Sequence, residues 1–469
     1  MTMIENNICL LSDSYKEWHH RAYLPNTEYL ESYFEARNGA RFNKTVLFGL
    51  QAIIKKHLVG QVVTKEKIDE AERLVNAHQG PVFNREGWEY ILSKHDGQLP
   101  ITIRAVAEGT PVDVNNAMMV VRNNDKECKW LTNYLESLLL HVWYPSTVAT
   151  LSREIKFMLI DYMNKTSDDF SGLDFMLHDF GFRGVETCDA AMIGGAGHLL
   201  NFKGTDTVPA LLIPINYYSA SGPVGFSVAA TEHSIMTARG REGEFEVVEH
   251  IFKETPSGIL SLVIDSYDYE NFINVCGTTF KDTIDKRDGR TVFRPDSGDP
   301  VTVTLRCLEL IEKYWGSTKN SKGFRVLPPH VRVLWGDGID YYGMRTILFS
   351  MLNNGWSAEN IVFGCGGGLL QKVDRDTQRF AFKCSAQYYD GAWHDVYKEP
   401  KDLTKKSKRG RLALIEEDGK HVTVRLDELN GRKDLLKTVF ENGRMVREYT
   451  WEEVVHNARL FTNKTEENA

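Results

Sequence analysis

Residues 177–207 read LHDFGFRGVETCDAAMIGGAGHLLNFKGTDT. Three chemistries lie close together in this stretch. Phe180 and Phe182 offer flat apolar faces, Arg183 a planar cationic fork that suits phosphate, and Asp206 a carboxylate inside a Gly/Thr loop. The middle, Ala190 to Phe202, is apolar and rich in small residues, which predicts a buried helix with Arg183 at its start and Asp206 just past its end. An aromatic shelf, a phosphate clamp and a hydrogen-bond acceptor are what an enzyme needs to hold a flat heterocycle beside a phosphorylated sugar. The same window admits a plainer reading, core aromatics with a surface Arg and Asp, because grouped polar residues mark function only statistically.

Working outward, short apolar runs ending in polar or glycine residues alternate with helical stretches from about Asp174 onward. The eight runs are 175–180, 205–208, 225–230, 260–265, 290–296, 331–337, 361–367 and 380–385, and the clearest helices between them are Asp299 to Trp315 and Tyr341 to Asn353. Such alternation implies parallel β/α construction, and eight units predict a closed α/β barrel. In a barrel, chemistry gathers at the C-terminal ends of the strands. Those ends carry Asp179 with Arg183, Asp206, Glu232-His233, Asp265, Arg294 with Asp296, Gly336-Asp337-Gly338, and Gly364 to Gly368. Asp and Gly favour turns on their own account. That accounts for one or two of these ends, but poorly for an Arg, a His and several carboxylates directed at one mouth.

Each motif has a physical reading. Arg294 and Asp296 share a face if the strand runs through both, since i and i+2 side chains point the same way. Glycines at 336–338 and 364–368 expose backbone N–H groups that can cradle a phosphate, although neither stretch is a Walker A loop, since no Gly-Lys-Ser/Thr follows. His233, next to Glu232, is either a structural histidine or a general base or phosphoryl acceptor. Lys405, Lys406, Lys408, Arg409 and Arg411 form a basic loop that is either solvated or serves a phosphate-rich small molecule.

The N-terminal third mixes elements and points to a second domain. Asp13-Ser14-Tyr15-Lys16 reads as a helix start or as polar and aromatic groups at a strand end. Helical spacing runs over Thr45 to His57 and Lys65 to Ala77; Ile101 to Ala107 and Ala117 to Val121 read as strands. Cys128 to Val142 reads as an apolar helix stopped by Pro145, followed by another over Val148 to Met163.

The bulk properties exclude several classes. A chain of 469 residues is long enough for two or three domains, and 42% hydrophobic with 26% charged residues is a globular composition. A net charge of -8 argues against a general nucleic-acid binder. No apolar run approaches the ~18 residues of a membrane helix, and the N-terminus lacks the basic region of a secretory signal. Seven scattered cysteines with no CxxC pair fit reduced thiols in the cytoplasm.

FGFRG (180–184), NFKGTDT (201–207), EHS (232–234), DSYD (265–268), RPDSG (294–298), GDG (336–338) and GGGLLQK (366–372) occur in this order in the nicotinamide phosphoribosyltransferases. From DSYK at 13 to KSKRGR at 406–411 the chain resembles that family end to end. The resemblance implies the irregular (β/α) barrel of type II phosphoribosyltransferases, here 166–389, with a β-rich α+β domain built from 1–165 and 390–469. It implies a homodimer with active sites at the subunit interface, joining nicotinamide to phosphoribosyl pyrophosphate. The products are nicotinamide mononucleotide and pyrophosphate, as in NAD salvage.

By the family pattern, Phe180 and Tyr15 of a second subunit sandwich the pyridine ring, and Asp206 accepts from the carboxamide NH2. Arg294 assists at the amide oxygen and ribose. Arg183, with Arg375 and Lys383 of the second subunit, holds phosphates. Gly336 and Gly367 approach the ribose phosphate through backbone amides, with Asp337 beside them. Asp268 and Asp296 serve the ribose hydroxyls and Mg2+, which favours a few carboxylates plus substrate phosphates. His233 matches a histidine phosphorylated by ATP, a co-substrate, and Lys405 a position that contacts nucleotide. Three residues depart from the pattern: Ile264 before DSYD, Cys365 in the glycine loop and Ala381 near the pyrophosphate, each removing one hydroxyl. A nicotinate phosphoribosyltransferase is the nearest alternative, disfavoured because Asp206 would face nicotinate's own carboxylate. A non-catalytic scaffold on the same barrel and a sugar-phosphate isomerase are the remaining ones.

Overall fold

A computed structural model describes residues 6–398 and 407–466, with side chains described through Arg459. The chain forms two compact units. The described residues of Met1–Thr150, Ile213–Ser221 and Asp374–Asn463 make the first, and those of Leu151–Leu212, Gly222–Val373 and Lys464–Ala469 the second.

The second unit holds seven parallel strands: β1 (Leu177–Asp179), β2 (Gly204–Thr205), β3 (Ala229–Ala230), β4 (Ser257–Val263), β5 (Asp288–Arg294), β6 (Val331–Trp335) and β7 (Ile361–Cys365). Their order across the sheet is β2-β1-β7-β6-β5-β4-β3. A parallel bridge between Gly204 and Phe226 joins the two edges, so the run 226–230 touches β2 at one end and pairs with β4 at the other. The result is an irregular barrel closed by seven strands. The expected eighth, 380–385, is instead part of the ten-residue strand Phe380–Tyr389 in the first unit, antiparallel to Tyr29–Ala36. With both barrel edges joined through 226–230, no open edge is left for it.

Helix termini follow local chemistry. Pro300–Trp315 starts with Pro300 at N1, and the Asp299 carboxylate accepts from Thr302 N at 2.8 Å. Cys188–His198 is capped by Thr187, whose hydroxyl accepts from Ala190 N at 3.1 Å. Its small residues let it lie close to the barrel: a Cβ at Gly195 would stand 2.6 Å from Ala210 Cβ. Buried in its last turn, His198 meets Ser152 Oγ (2.9 Å) and Gly204 O (3.0 Å), and burial pushes its pKa down to about 3, so it packs neutral. Tyr341–Asn353 is capped by Asp340, which accepts from the amides of Tyr342 and Gly343, both at 3.0 Å. Asp340→Ala is expected to cost about 1 kcal/mol of stability, the usual loss of an N-cap, read as a lower urea midpoint at unchanged slope.

The first unit is a seven-stranded antiparallel sheet in the order Ala392–Asp395, Phe380–Tyr389, Tyr29–Ala36, Asn116–Asn123, Ile101–Ala105, Lys437–Glu441, Arg444–Met445. Two expected helices there are corrected. Over 45–57 a strand, Lys44–Val46, precedes the helix Leu50–His57. The break falls at Gly49, in the left-handed region at φ 94°. There the buried Glu108 carboxylate accepts from Gly49 N (2.8 Å), Gln51 N (2.5 Å) and Tyr218 OH (2.7 Å). Over 128–142 two short helices, Leu131–Tyr134 and Glu136–Leu140, replace one, and Pro145 stops nothing. It sits in the first turn of Trp143–Thr166, where a missing N–H costs no hydrogen bond.

Candidate active site

The C-terminal ends of the barrel strands surround a cavity of about 800 Å³. Phe180, Arg183, Asp206, Arg294, Asp296 and Asp337 all line it, together with Gly336 and Gly367. A second, mostly apolar cavity of about 290 Å³ shares Phe180, Asp206 and Arg294 with the first and continues between Phe226, Val292, Leu334 and Val362. Together they offer an apolar slot for a ring opening into a polar chamber for phosphates, within the size range of small-molecule sites.

Phe180 follows β1 directly, with its N–H donating to Cys365 O at 3.0 Å. The edge of its ring lies over Gly364, where a Cβ would stand 2.0 Å from Phe180 Cε2, and near Gly336, where the same distance would be 3.3 Å. Glycine at 364 is therefore the seat of the aromatic shelf and is not among the residues that line the chamber. Gly366, Gly367 and Gly368 do line the chamber.

Asp206 leaves β2 at the rim, with its N–H donating to Asp179 O at 2.9 Å. Its Oδ1 accepts from Ser227 Oγ at 2.5 Å. Its Oδ2 has no protein donor among the described residues, so an open acceptor is carried by a residue that lines both cavities together with Phe180. Below them Asp179 and His178 are buried; burial pushes the Asp179 carboxyl up to about 6 and lowers the His178 imidazole.

Arg294 ends β5. The strand does not run on through Asp296 as the shared-face argument assumed, yet the two still meet, Nε to Oδ1 at 3.4 Å. Arg294 Nη2 donates to Thr231 O at 2.7 Å, which aims the guanidinium. Burial raises the Asp296 carboxyl above the ordinary range; Arg294 and His233 oppose this, while Asp265 and Asp337 add to it.

His233 stands half-exposed at the start of the short helix His233–Met236, with Nε2 3.2 Å from Oδ1 of Asp265, whose side chain is 4% exposed. A carboxylate behind an imidazole selects its tautomer and fixes its orientation. Asp268 is placed differently. Its side chain caps helix Tyr269–Thr278 by accepting from Asn271 N at 3.0 Å.

Tyr15, Arg375 and Lys383 belong to the first unit. Tyr15 is exposed on a 3-10 turn (Ser14–Lys16), Arg375 is exposed near Asp376, and Lys383 lies half-buried in strand Phe380–Tyr389, with its pKa lowered by burial. Lys405 lies outside the described residues. Of the three departures, Cys365 faces away from the chamber, its thiol donating to Ile339 O at 3.1 Å, so a serine there would not face phosphate in this arrangement. Ile264 is fully buried, and Ala381 is a buried member of the first unit's sheet. Lys372, Thr231 and Ser227 line these cavities but were not singled out from the sequence. Lys372 closes the GGGLLQK motif and could have been found there; the other two carry no local signal.

A closed parallel barrel with a ring shelf, an acceptor and a cation-rimmed chamber at its C-terminal mouth defines a phosphosugar-handling α/β enzyme. Residues 175–444 match the nicotinate phosphoribosyltransferase (NAPRTase) family, and residues 7–103 match the nicotinamide phosphoribosyltransferase N-terminal domain. The chain belongs to the nicotinate phosphoribosyltransferase family. It is 46% identical over 461 residues to a nicotinamide phosphoribosyltransferase of Xanthomonas campestris, covering 96% of this chain and 97% of that one. It is 33% identical to a nicotinamide phosphoribosyltransferase of Acinetobacter baylyi, covering 94% and 95%. The fold is similar to human nicotinic acid phosphoribosyltransferase (TM-score 0.60, 15% identity, 97% and 94% covered). It is equally similar to a nicotinate-nucleotide pyrophosphorylase from Pyrococcus furiosus (TM-score 0.59, 15% identity, 99% and 97% covered).

Proposed function

We propose that this enzyme joins nicotinamide to phosphoribosyl pyrophosphate, giving nicotinamide mononucleotide and pyrophosphate in NAD salvage. The observation that carries this is the second oxygen of Asp206, without a protein donor among the described residues, on a residue that lines the same apolar slot as Phe180. A carboxamide NH2 can donate to it; a carboxylate on the ring cannot. The ring nitrogen attacks C1 of the ribose as the bond to pyrophosphate breaks, and positive charge gathers on the sugar. Phe180 holds the base flat. Arg294, aimed by Thr231, and Asp296 meet the ribose and amide. Arg183, Lys372 and the amides around Gly367 face the phosphates, where fixed donors and charges stabilise the departing anion.

Mg2+ fits the donor set around Asp296, where Asp265 and Asp337 crowd it with like charge that a divalent ion would relieve. Asp296 and Asp337 would hold it; Asp268, one oxygen of which caps a helix, could add its other oxygen. When bound, the ion neutralises pyrophosphate charge. Tyr15, Arg375 and Lys383 complete the site from a second copy, making the working form a homodimer, and cytoplasmic placement belongs to the same reading. No helix among the described residues is long and apolar enough to cross a membrane.

His233, backed by Asp265, accepts the terminal phosphoryl group of ATP as the β–γ bond breaks and ADP leaves, and the added charge promotes pyrophosphate chemistry. The test is a product assay with nicotinamide, phosphoribosyl pyrophosphate and Mg2+, with and without ATP. Mononucleotide is expected to form, and to form faster with ATP. His233→Ala is expected to abolish the ATP enhancement while leaving ATP-independent synthesis; full enhancement in that variant would remove the phosphohistidine.

A further inference from the structure

We propose that Asp179, which lines neither cavity, is a positioning residue. It fixes the separation between the Phe180 shelf and the Asp206 acceptor, and so governs affinity for the base more than for the phosphosugar. The inference rests on the nicotinamide reading of this site.

Asp179 is the last residue of β1 and is fully buried. Three bonds converge on it. Its main-chain oxygen accepts from Asp206 N at 2.9 Å. Its Oδ1 accepts from Gly181 N at 2.7 Å, the amide just after Phe180. Its Oδ2 accepts from Thr205 Oγ1 at 3.4 Å, just before Asp206, and that hydroxyl in turn accepts from Thr207 N at 3.0 Å. The loop that carries the shelf and the loop that carries the acceptor are thus held by one residue.

Helix Cys188–His198 closes over the carboxylate: a Cβ at Gly195 would stand 3.0 Å from Oδ2. The group has little space to turn, so its bonds define one geometry. Burial opposes its charge and raises its pKa, which makes it a poor source of net stability and a fitting source of orientation. Lys372, Arg294 and Asp296 leave other strands and make no bond to it.

The test uses the full-length protein with Asp179→Ala, Asp179→Asn and Thr205→Val, measuring kcat and both KM values. In Asp179→Ala the nicotinamide KM is expected to rise about tenfold or more while the phosphoribosyl pyrophosphate KM stays within about threefold, since small misplacements of a bound group are felt steeply. Asn, which keeps an acceptor for Gly181 N–H, should restore most of the loss, and Thr205→Val should fall between. Should Asp179→Ala fail to fold, Thr205→Val carries the same split in smaller degree, with a raised nicotinamide KM and an unchanged phosphoribosyl pyrophosphate KM. Parallel changes in both KM values, an Asn variant as impaired as Ala, or an unchanged nicotinamide KM would each overturn the proposal. Wild-type protein that forms no mononucleotide from nicotinamide would instead overturn the reading of the site itself.

Discussion

Asp206→Asn or Asp206→Ser is expected to lower the preference for nicotinamide over nicotinate, taken as the ratio of kcat/KM values, by about 100-fold, read from mononucleotide formation on each base. The wild-type oxygen that accepts from the amide NH2 would meet nicotinate's carboxylate at hydrogen-bond range. Two like charges about 4 Å apart cost about 4 kcal/mol in the partly screened environment near a protein surface. Sites built around a specific hydrogen bond can discriminate by about 10^4 or more. The effect is smaller here because Asp206 is exposed at the rim, where water screens it. Ser227 already occupies Oδ1, so the effect passes through Oδ2 alone. Ser227→Ala should therefore preserve base preference far better than either Asp206 change. Equal wild-type rates on the two bases would remove the role given to Asp206.

Gly364→Ala is the second large effect. The new methyl would fall 2.0 Å from Phe180 Cε2 and 2.4 Å from Cδ2, far inside contact distance, and the backbone of β7 is held by its neighbours β1 and β6. The ring, not the strand, must move. Losing a stacked partner and its buried face removes roughly 2 kcal/mol of base binding, so the nicotinamide KM is expected to rise about 30-fold. Gly336→Ala, with its Cβ at 3.3 Å from the same ring, should change it by about threefold or less. The decisive measurement is a double-mutant cycle: in a Phe180→Ala background Gly364→Ala should add almost nothing. If the two losses add in full, the glycine acts on something other than the ring.

Much of the barrel was legible because its signals are local. Alternation of short apolar runs with capped helices needs only a window of a dozen residues. Asp299-Pro300 and Asp340 announce the starts of their helices. The ordered motifs from Phe180 to Lys372 carry most of the residues that line the chamber. What failed locally failed for tertiary reasons. Residues 380–385 are as strand-like as any barrel strand, but their partner is Tyr29–Ala36, about 350 positions away. The segment 128–142 is apolar enough for one helix, yet it breaks at Leu135 between two short ones. Asp265 is separated from His233 by 32 residues, and nothing in either neighbourhood announces the pair.

The amino-acid sequence by itself determined which chemistries are present: a flat shelf, an acceptor, an Arg–Asp pair, a histidine and glycine-rich turns, each at the end of a run with the period of a strand. Only the tertiary structure decided which of them share a mouth. It closed the ring with seven strands through residues 226–230, set Gly364 under Phe180, turned Asp268 to a helix cap, and brought Asp179 between shelf and acceptor. Strand and turn propensities are settled within a few residues of backbone. The direction of a side chain at a strand's end is settled by hydrogen-bond partners and steric neighbours contributed by distant segments, and these exist only once the barrel has closed.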